Sequence, residues 1–173
     1  MSSENIGILI RNAREGDVAS FGEVYEIYSK DLYKFAYYYT GSSVVAEDCV
    51  SEAVLLAFQK ITSLKNADAF RSWMFKILRN CCYKALNDKK KNLNNVDYSS
   101  LHNIRSEDED LNAEISLVNA LALLDPAERE IIVLHYSSGY SSKEIGKILG
   151  MKDSTVRSKM SRATDKLRQI LCR

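Results

Sequence analysis

The end of the chain carries side chains that are suited to contacting DNA. Apolar residues recur every three or four positions from Val156 to Ile170, which predicts a helix over about 154–171 with one buried face. Arginine can donate two hydrogen bonds to one guanine, and short hydroxyl side chains can bond bases or phosphates. On the opposite face we expect six DNA-binding residues: Ser154, Thr155, Arg157, Ser158, Lys159 and Arg162.

These six residues are expected to have different roles along the helix. A recognition helix presents its N-terminal turns to base edges in the major groove. We therefore expect Arg157 to read guanine, while Thr155 and Ser158 bond bases or phosphate. Lys159 and Arg162 lie where a groove-bound helix passes the phosphates, which predicts a positioning role.

A shorter helix before this one would set its position. Ser141, followed three residues later by Glu144, predicts a capping box, and Gly150 is expected to end the short helix. Gly146 lacks a side chain, which allows the two helices to cross closely, and Asp153 is the expected N-cap of the last helix. A basic amphipathic helix alone is more often a solvated surface. Two helices joined at a glycine turn, however, predict a helix-turn-helix that binds nucleic acid.

The other elements are also predicted to be helices. The chain of 173 residues has one proline and seven glycines, and 46% of its residues are hydrophobic, which favours packed helices. Asp17, Asp68 and Asp125–Pro126 supply helix starts, and Gly41 supplies a helix end. We predict an all-α protein with two small helical domains, residues 1–88 and 114–173, the second of which contains the helix-turn-helix.

Residues 89–113 are predicted to form a flexible acidic linker between the domains. They are rich in Asn, Ser and Asp and show no sustained periodicity. Glu107–Asp110 is a run of four acidic residues within this segment. Such a run would repel DNA and favour basic protein surfaces, or it would serve only to keep the linker solvated, and both interpretations remain open.

Several classes of protein are disfavoured by the sequence. It has no phosphate-binding glycine loop, no HExxH and no nucleophile elbow, so we expect no catalytic activity, cofactor or small-molecule substrate. Cys49, Cys81, Cys82 and Cys172 form no CxxC pair and are expected to be reduced thiols without a metal. No apolar run reaches the length of a membrane span or a signal peptide, which predicts a cytoplasmic protein.

Most of the chain resembles a known family. The segments AREGDVASFGEVYEIYSKDLYKFAY, AEDCVSEAVLLAF and FRSWMFKILRN resemble the promoter-melting module of extracytoplasmic-function (ECF) sigma factors. The segment that begins LLDPAEREIIVLHYSSGYSSKEIGKILG is similar to their −35-binding module. The resemblance covers about residues 7–86 and 114–171, in the order that the family has. It implies a protein that gives RNA polymerase its promoter specificity and performs no catalysis itself.

The resemblance implies that the third helix and the loop before it recognise and melt the −10 element. Opening DNA without ATP requires a surface that captures unstacked bases while it binds phosphate. The spacing of Phe70 and Trp73 places both in the core, and Lys89–Lys91 fits a phosphate contact and a solvated run equally well. The −10-binding residues implied are Ser63, Lys65, Asn66, Arg71, Lys76, Arg79, Asn80, Tyr83 and Lys84.

The resemblance also implies partners. The helix that contains AEDCVSEAVLLAF would dock on core RNA polymerase through a mixed polar and apolar face, as is usual for a partner surface. Ser51 stands where the family usually has glutamine. The implied polymerase-binding residues are Asp48, Ser51, Glu52, Leu55 and Gln59. Promoter DNA and an anti-sigma factor are the other expected partners, and the free chain is expected to be a monomer.

Two other functions compete with this interpretation. A self-sufficient transcription regulator would share the helix-turn-helix, but it would bind its operator without polymerase. A helical adaptor protein would leave the basic recognition helix without a role. The basic third helix with its loop and the polymerase-docking face favour the sigma factor.

Overall fold

A computed structural model describes residues 3–92 and 109–172 as helices joined by short turns, with no strand in either range. This confirms the predicted all-α class. The acidic run from Glu107 begins outside the described residues. In chain order the helices are α1 Ser3–Arg14, α2 Val18–Thr40, α3 Ser43–Lys60, α4 Phe70–Asn92, α5 Glu109–Ala122, α6 Pro126–Tyr136, α7 Ser142–Leu149 and α8 Asp153–Leu171.

The first module consists of α1 to α4, with α2, α3 and α4 in mutual contact. Its core is aromatic and aliphatic: Phe35 and Leu78 are fully buried, and the ring of Phe35 meets that of Phe75 edge to face at 5.7 Å. Phe70 is buried as predicted, and Trp73 lies half-buried against it. The side of α4 that these residues occupy is therefore committed to packing.

Helix α1 was not predicted from the sequence. Its apolar run is the buried side of an amphipathic helix, with Ile10 and Ala13 packed against α2. The turn that follows uses Gly16, whose φ of 101° lies in the left-handed region. The run is too short to show a period by itself, and α1 depends on α2 for its burial.

Most predicted helix boundaries are confirmed by the capping hydrogen bonds. The Asp17 carboxylate accepts from the Ala19 amide at 3.1 Å, and Gly41 ends α2 at φ 72°. Asp125 is the N-cap of α6, and Pro126 is the first residue of the helix. The prediction for Asp68 was wrong. The Asn66 side chain accepts from the Asp68 amide at 3.0 Å and caps a 3-10 turn, Ala67–Ala69, which leads directly into α4.

The second module consists of α5 to α8. Ile145 on α7 and Val156 on α8 are fully buried, as is Ala163 two turns further along α8. The buried carboxylate of Glu128 on α6 accepts two hydrogen bonds from Lys166 on α8, at 3.0 and 2.7 Å. This ion pair lies entirely within the module.

All four cysteines, which were predicted to be reduced, are free thiols in the structure. Cys49, Cys81 and Cys82 are buried between α3 and α4, and Cys172 is exposed. Burial raises the pKa of Cys81 to about 11, which keeps this thiol protonated near neutral pH. No helix within the described ranges is both long enough and apolar enough to cross a membrane.

The crossing of α7 and α8 depends on the missing side chain of Gly146. A Cβ at this position would lie 2.7 Å from the backbone oxygen of Met151, in the turn between the helices. Real Cβ atoms do not approach a backbone oxygen so closely, and backbone cannot swing aside as the end of a side chain can. The predicted role of Gly146 in close helix crossing is therefore explained by a specific contact.

We predict that Gly146→Ala destabilises the second module by about 1–3 kcal/mol, the usual cost of overpacking a rigid site. The matched control is Gly22→Ala in α2, where a Cβ meets nothing within 4 Å. Alanine there should stabilise the helix by up to about 1 kcal/mol. Urea denaturation followed by circular dichroism measures both changes, and a neutral Gly146→Ala would contradict this account.

Candidate nucleic-acid interfaces

The basic face of α8 is open to solvent. Arg157 is 63% exposed, and Ser154, Thr155, Ser158 and Arg162 are also exposed, while Lys159 is half-exposed. The buried residues of α8 lie on the opposite side, at Val156, Ala163 and Leu167. The six predicted duplex-binding residues therefore lie together on one accessible surface, which we call the duplex face.

The start of α8 differs from the prediction. Lys152 occupies the N-cap position without a side-chain hydrogen bond, and Asp153 is the first helical residue, so the expectation that Asp153 caps the helix was wrong. Its carboxylate is used elsewhere: it accepts from the Ser142 hydroxyl and pairs with Arg157 at 2.9 Å. Asp153 thus ties α7 to α8 and holds the Arg157 guanidinium near the helix start.

The helix before the duplex face is fixed by the predicted capping box. The Ser141 amide donates to the Glu144 carboxylate at 2.9 Å, and the Glu144 amide donates to the Ser141 hydroxyl at 3.3 Å. The hydrogen bond from the Ser141 side chain lowers the pKa of Glu144 below its ordinary value. Gly150 ends α7 at φ 69°, as predicted. The helix-turn-helix is therefore held by local hydrogen bonds at both ends of α7.

The predicted single-strand-binding residues of the first module form two groups. Seven of them are exposed on α4 and the turn before it, and we call these the strand face: Ser63, Lys65, Asn66, Lys76, Asn80, Tyr83 and Lys84. Tyr83 leaves 52% of its surface exposed, which suits a ring on which a base could stack. The remaining two predicted residues, Arg71 and Arg79, point elsewhere.

Arg71 and Arg79 face the second module rather than open solvent. Arg79 Nε donates to Glu130 Oε1 on α6 at 2.9 Å. Arg71 Nη2 donates to the backbone oxygen of Ser138, and its guanidinium lies 4.1 Å from the centre of the Tyr140 ring. Both arginines are engaged by the loop and helices of the other module.

The predicted polymerase-binding face of α3 is exposed along its length. Asp48, Ser51, Glu52, Leu55 and Gln59 all lie at the surface. Phe58 was not among the predicted residues, although its ring is 41% exposed and meets Phe21 edge to face. Its spacing of three residues from Leu55 is the signal that could have identified it. Together the two side chains give this face an apolar centre.

Glu130 and Tyr140 are the other residues that the sequence did not single out. The helical period of α6 did not single out Glu130, which lies between Arg129 and Ile131. Both are buried, at 2% and 1% exposure, although each carries a polar group. A buried charge needs a partner, and for Glu130 that partner comes from the other module.

Comparison with known proteins agrees with this geometry. The family model for sigma-70 region 2 matches residues 24–92, and the model for sigma-70 region 4 matches residues 114–167. The ECF RNA polymerase sigma factor SigW of Bacillus subtilis is 26% identical, with 94% of each chain covered. BldN of Streptomyces coelicolor, also named an ECF RNA polymerase sigma factor, is 26% identical over 94% of this chain, which spans 64% of BldN's own length.

A solved structure shows the same fold. The sigma factor RpoE from Bartonella quintana, crystallised with the anti-sigma factor NepR, superimposes with a TM-score of 0.74 at 26% identity. The match covers 89% of this chain and 98% of RpoE. Both modules are therefore found, in the same order, in proteins that are named sigma factors.

Proposed function

Because the chain belongs to the extracytoplasmic-function (ECF) group of sigma-70 family sigma factors, we propose that its two modules divide promoter recognition between them. The duplex face of α8 binds the −35 element as double-stranded DNA. The strand face of α4 captures the −10 element as separated strands, while α3 holds core RNA polymerase. The observation that supports this division most strongly is the presence of two exposed polar surfaces of different chemistry, one on each module.

The duplex face suits reading base pairs in the major groove. The first turns of α8 carry Thr155, Arg157 and Ser158 without bulky apolar neighbours on the same side. Arg157 is paired with Asp153, but both groups are exposed, and such surface pairs contribute only about 0–1 kcal/mol. Arg157 can therefore leave its Asp153 partner and bond a guanine at little cost in free energy. The prearranged guanidinium stays close to the helix start that enters the groove.

The strand face suits unstacked bases. Lys76 and Lys84 supply positive charge for phosphates, Asn80 can bond a base edge, and Tyr83 offers a stacking ring. The turn before α4 adds the Ser63 hydroxyl at the surface. A combination of cations, an amide and an exposed ring holds separated strands better than it holds a closed duplex. Binding energy, rather than ATP, then drives melting.

The α3 face suits a protein partner rather than DNA. Asp48 and Glu52 are negative and would repel phosphate, while Leu55 and Phe58 supply an apolar centre. We assign this face to core RNA polymerase, and we assign the chain to the cytoplasm, where polymerase works. No step in this function requires the chain to make or break a covalent bond, so the protein acts as an initiation factor and not as an enzyme.

We also propose that an anti-sigma factor controls the chain. The related RpoE of known structure was solved bound to one. The free sigma factor exposes both DNA faces and the polymerase face on modules that contact each other. A single inhibitor that binds across the modules could therefore block more than one activity.

Transcription in a purified system tests the function directly. The chain is added to core RNA polymerase and genomic DNA, and the transcripts are sequenced. We expect starts at a limited set of promoters that share two sequence elements, and none without the chain. Specific binding of the chain to duplex DNA without polymerase, together with no new transcripts, would favour the self-sufficient regulator instead.

We predict that Arg157→Ala weakens transcription from these promoters by about 1–3 kcal/mol of base discrimination, the usual contribution of a bidentate contact. The matched control is Arg168→Ala. Arg168 is also exposed on α8 and also pairs with one aspartate, Asp165, but it lies near the end of the helix. Run-off transcription over a series of promoter concentrations measures both. Equal losses in the two variants would show that general charge, and not reading by Arg157, matters.

We predict that Asn80→Ala slows open-complex formation more than it weakens binding to core polymerase. Asn80 is exposed in the middle of α4, so alanine should leave the helix intact. Permanganate reactivity of unpaired thymines measures melting, and gel filtration with core enzyme measures binding. A promoter with mismatches across the −10 region should largely rescue the variant, whereas a defect that persists there would argue against strand capture.

A further inference from the structure

We propose that Asp153 is a specificity-determining residue of the duplex face, because it holds the Arg157 guanidinium in position for guanine and restrains it from binding phosphate. This inference rests on the proposed role of the duplex face in binding the −35 element. Asp153 acts through Arg157 and not by touching a base, so it is a positioning residue. Ser142 on the preceding helix fixes it in turn. We call these three side chains the carboxylate bridge.

The carboxylate bridge uses both oxygens of Asp153. The Ser142 hydroxyl donates to Oδ1, and Arg157 Nη1 lies 2.9 Å from Oδ2. Ser142 is the first residue of α7 and Asp153 is the first residue of α8, so the bridge spans the turn between the two helices. Because Oδ1 is tied to α7, the carboxylate cannot rotate freely, and Oδ2 stays directed at Arg157. An ordinary ion pair along one helix lacks this second anchor.

The bridge leaves the guanidinium able to bond guanine while it stays in place. Arginine carries five N–H donors in one plane, and a bidentate bond to guanine O6 and N7 uses only two of them. The pair with Asp153 engages Nη1, which leaves donors on Nε and Nη2 for a base. The pair is weak enough to exchange, but it need not break when guanine is bound.

The bridge also limits what else Arg157 can bind. Its side chain is 63% exposed, so without Asp153 it would move among many rotamers. Ordering a long side chain at the moment of binding costs free energy, and the bridge removes part of that cost in advance. A mobile guanidinium would also reach phosphates beside the groove, and phosphate contacts carry no sequence information. Asp153 therefore strengthens the contact that reads sequence and weakens the one that does not.

A second ion pair on α8 provides the comparison. Asp165 pairs with Arg168 at 3.1 Å, and both side chains are well exposed. In the part of the chain that the structure describes, the Asp165 carboxylate has no further hydrogen-bond partner to anchor it. This pair also lies near the end of α8, away from the turns that would enter the groove. Asp165 is thus an acidic residue of the same helix without the proposed role.

The test compares Asp153→Asn with Asp165→Asn in the full-length chain, each alone and combined with Arg157→Ala. Asparagine removes the charge at position 153 but can still accept from the Ser142 hydroxyl, so the turn between α7 and α8 keeps its hydrogen bond. Ser142→Ala removes the anchor on α7 and leaves the charge. Circular dichroism checks that all variants remain helical.

The first measurement is binding of the chain alone to fluorescein-labelled duplex DNA of randomised sequence, followed by anisotropy over a series of salt concentrations. Asp153→Asn should bind up to about fivefold more tightly, which is the most that an exposed ion pair withholds. Its logarithmic salt dependence should steepen by about 0.9, the value for one added phosphate contact. Asp165→Asn should show no gain. Most of the gain should disappear when Arg157→Ala is added, and a gain of unchanged size there would refute the proposal, since Asp153 would then only repel DNA.

The second measurement is base discrimination by the chain with core polymerase. Promoters are located by sequencing transcripts from genomic DNA, and each G·C pair of the −35 element is then replaced in turn. At the pair that Arg157 reads, replacement should reduce transcription by the unaltered chain about 5- to 150-fold. Asp153→Asn should shrink that factor by up to about fivefold, Ser142→Ala by less, and Asp165→Asn not at all.

The two measurements are expected to move in opposite directions, because binding to random duplex rises while guanine discrimination falls. A role of Asp153 in supporting the helix alone would lower both together, and that result would overturn the proposal, as would unchanged discrimination in Asp153→Asn. Failure of the proposed function appears separately, as an unaltered chain that directs no transcription. Binding to random duplex would still decide whether Asp153 restrains Arg157.

Discussion

A buried carboxylate on α6 determines how the two modules meet. The Glu130 carboxylate is buried away from solvent, and a desolvated charge is tolerated only beside an opposite charge with good geometry. Arg79 of α4 supplies that charge, and the Tyr39 hydroxyl supplies a further polar contact. Because these partners lie on defined faces of α2 and α4, the orientation of α6 against the first module is restricted. This restricted orientation decides which helix faces stay exposed to solvent.

The open faces are the ones to which we assign the binding tasks of an ECF sigma factor. The α3 face is acidic with an apolar centre, the duplex face of α8 is basic, and the strand face of α4 combines cations with an exposed ring. The α3 face, the duplex face and the α4 part of the strand face each lie on a helix whose other side is buried, so their positions are fixed by packing. The helix-turn-helix shows this most clearly, because the duplex face is positioned by a backbone approach that only glycine at position 146 permits.

The local parts of this fold could be predicted from the sequence, and the long-range parts could not. Asp17, Ser141 and Gly150 act on residues within four positions of themselves, so their types alone indicate helix starts and ends. The turn before α4 was misread because Asn66 and Asp68 are both good caps, and geometry decides between them. Arg71 and Arg79 were assigned to the −10-binding surface from the family resemblance, and a helical period reveals only which side of α4 is apolar. It does not reveal which polar residues meet another module 51 or 67 positions away.

The exposed pair between Lys84 and Glu52, at 3.3 Å, connects the strand face of α4 with the α3 face. Glu52 lies on the side assigned to polymerase and Lys84 on the side assigned to DNA, so whichever partner arrives first frees a charge for the other. By thermodynamic reciprocity, the two ligands would then favour each other equally. The coupling is small, because an exposed pair contributes at most about 1 kcal/mol. Its sign would be positive, so with these assignments this one surface contact would give a weak cooperativity between holoenzyme assembly and promoter binding.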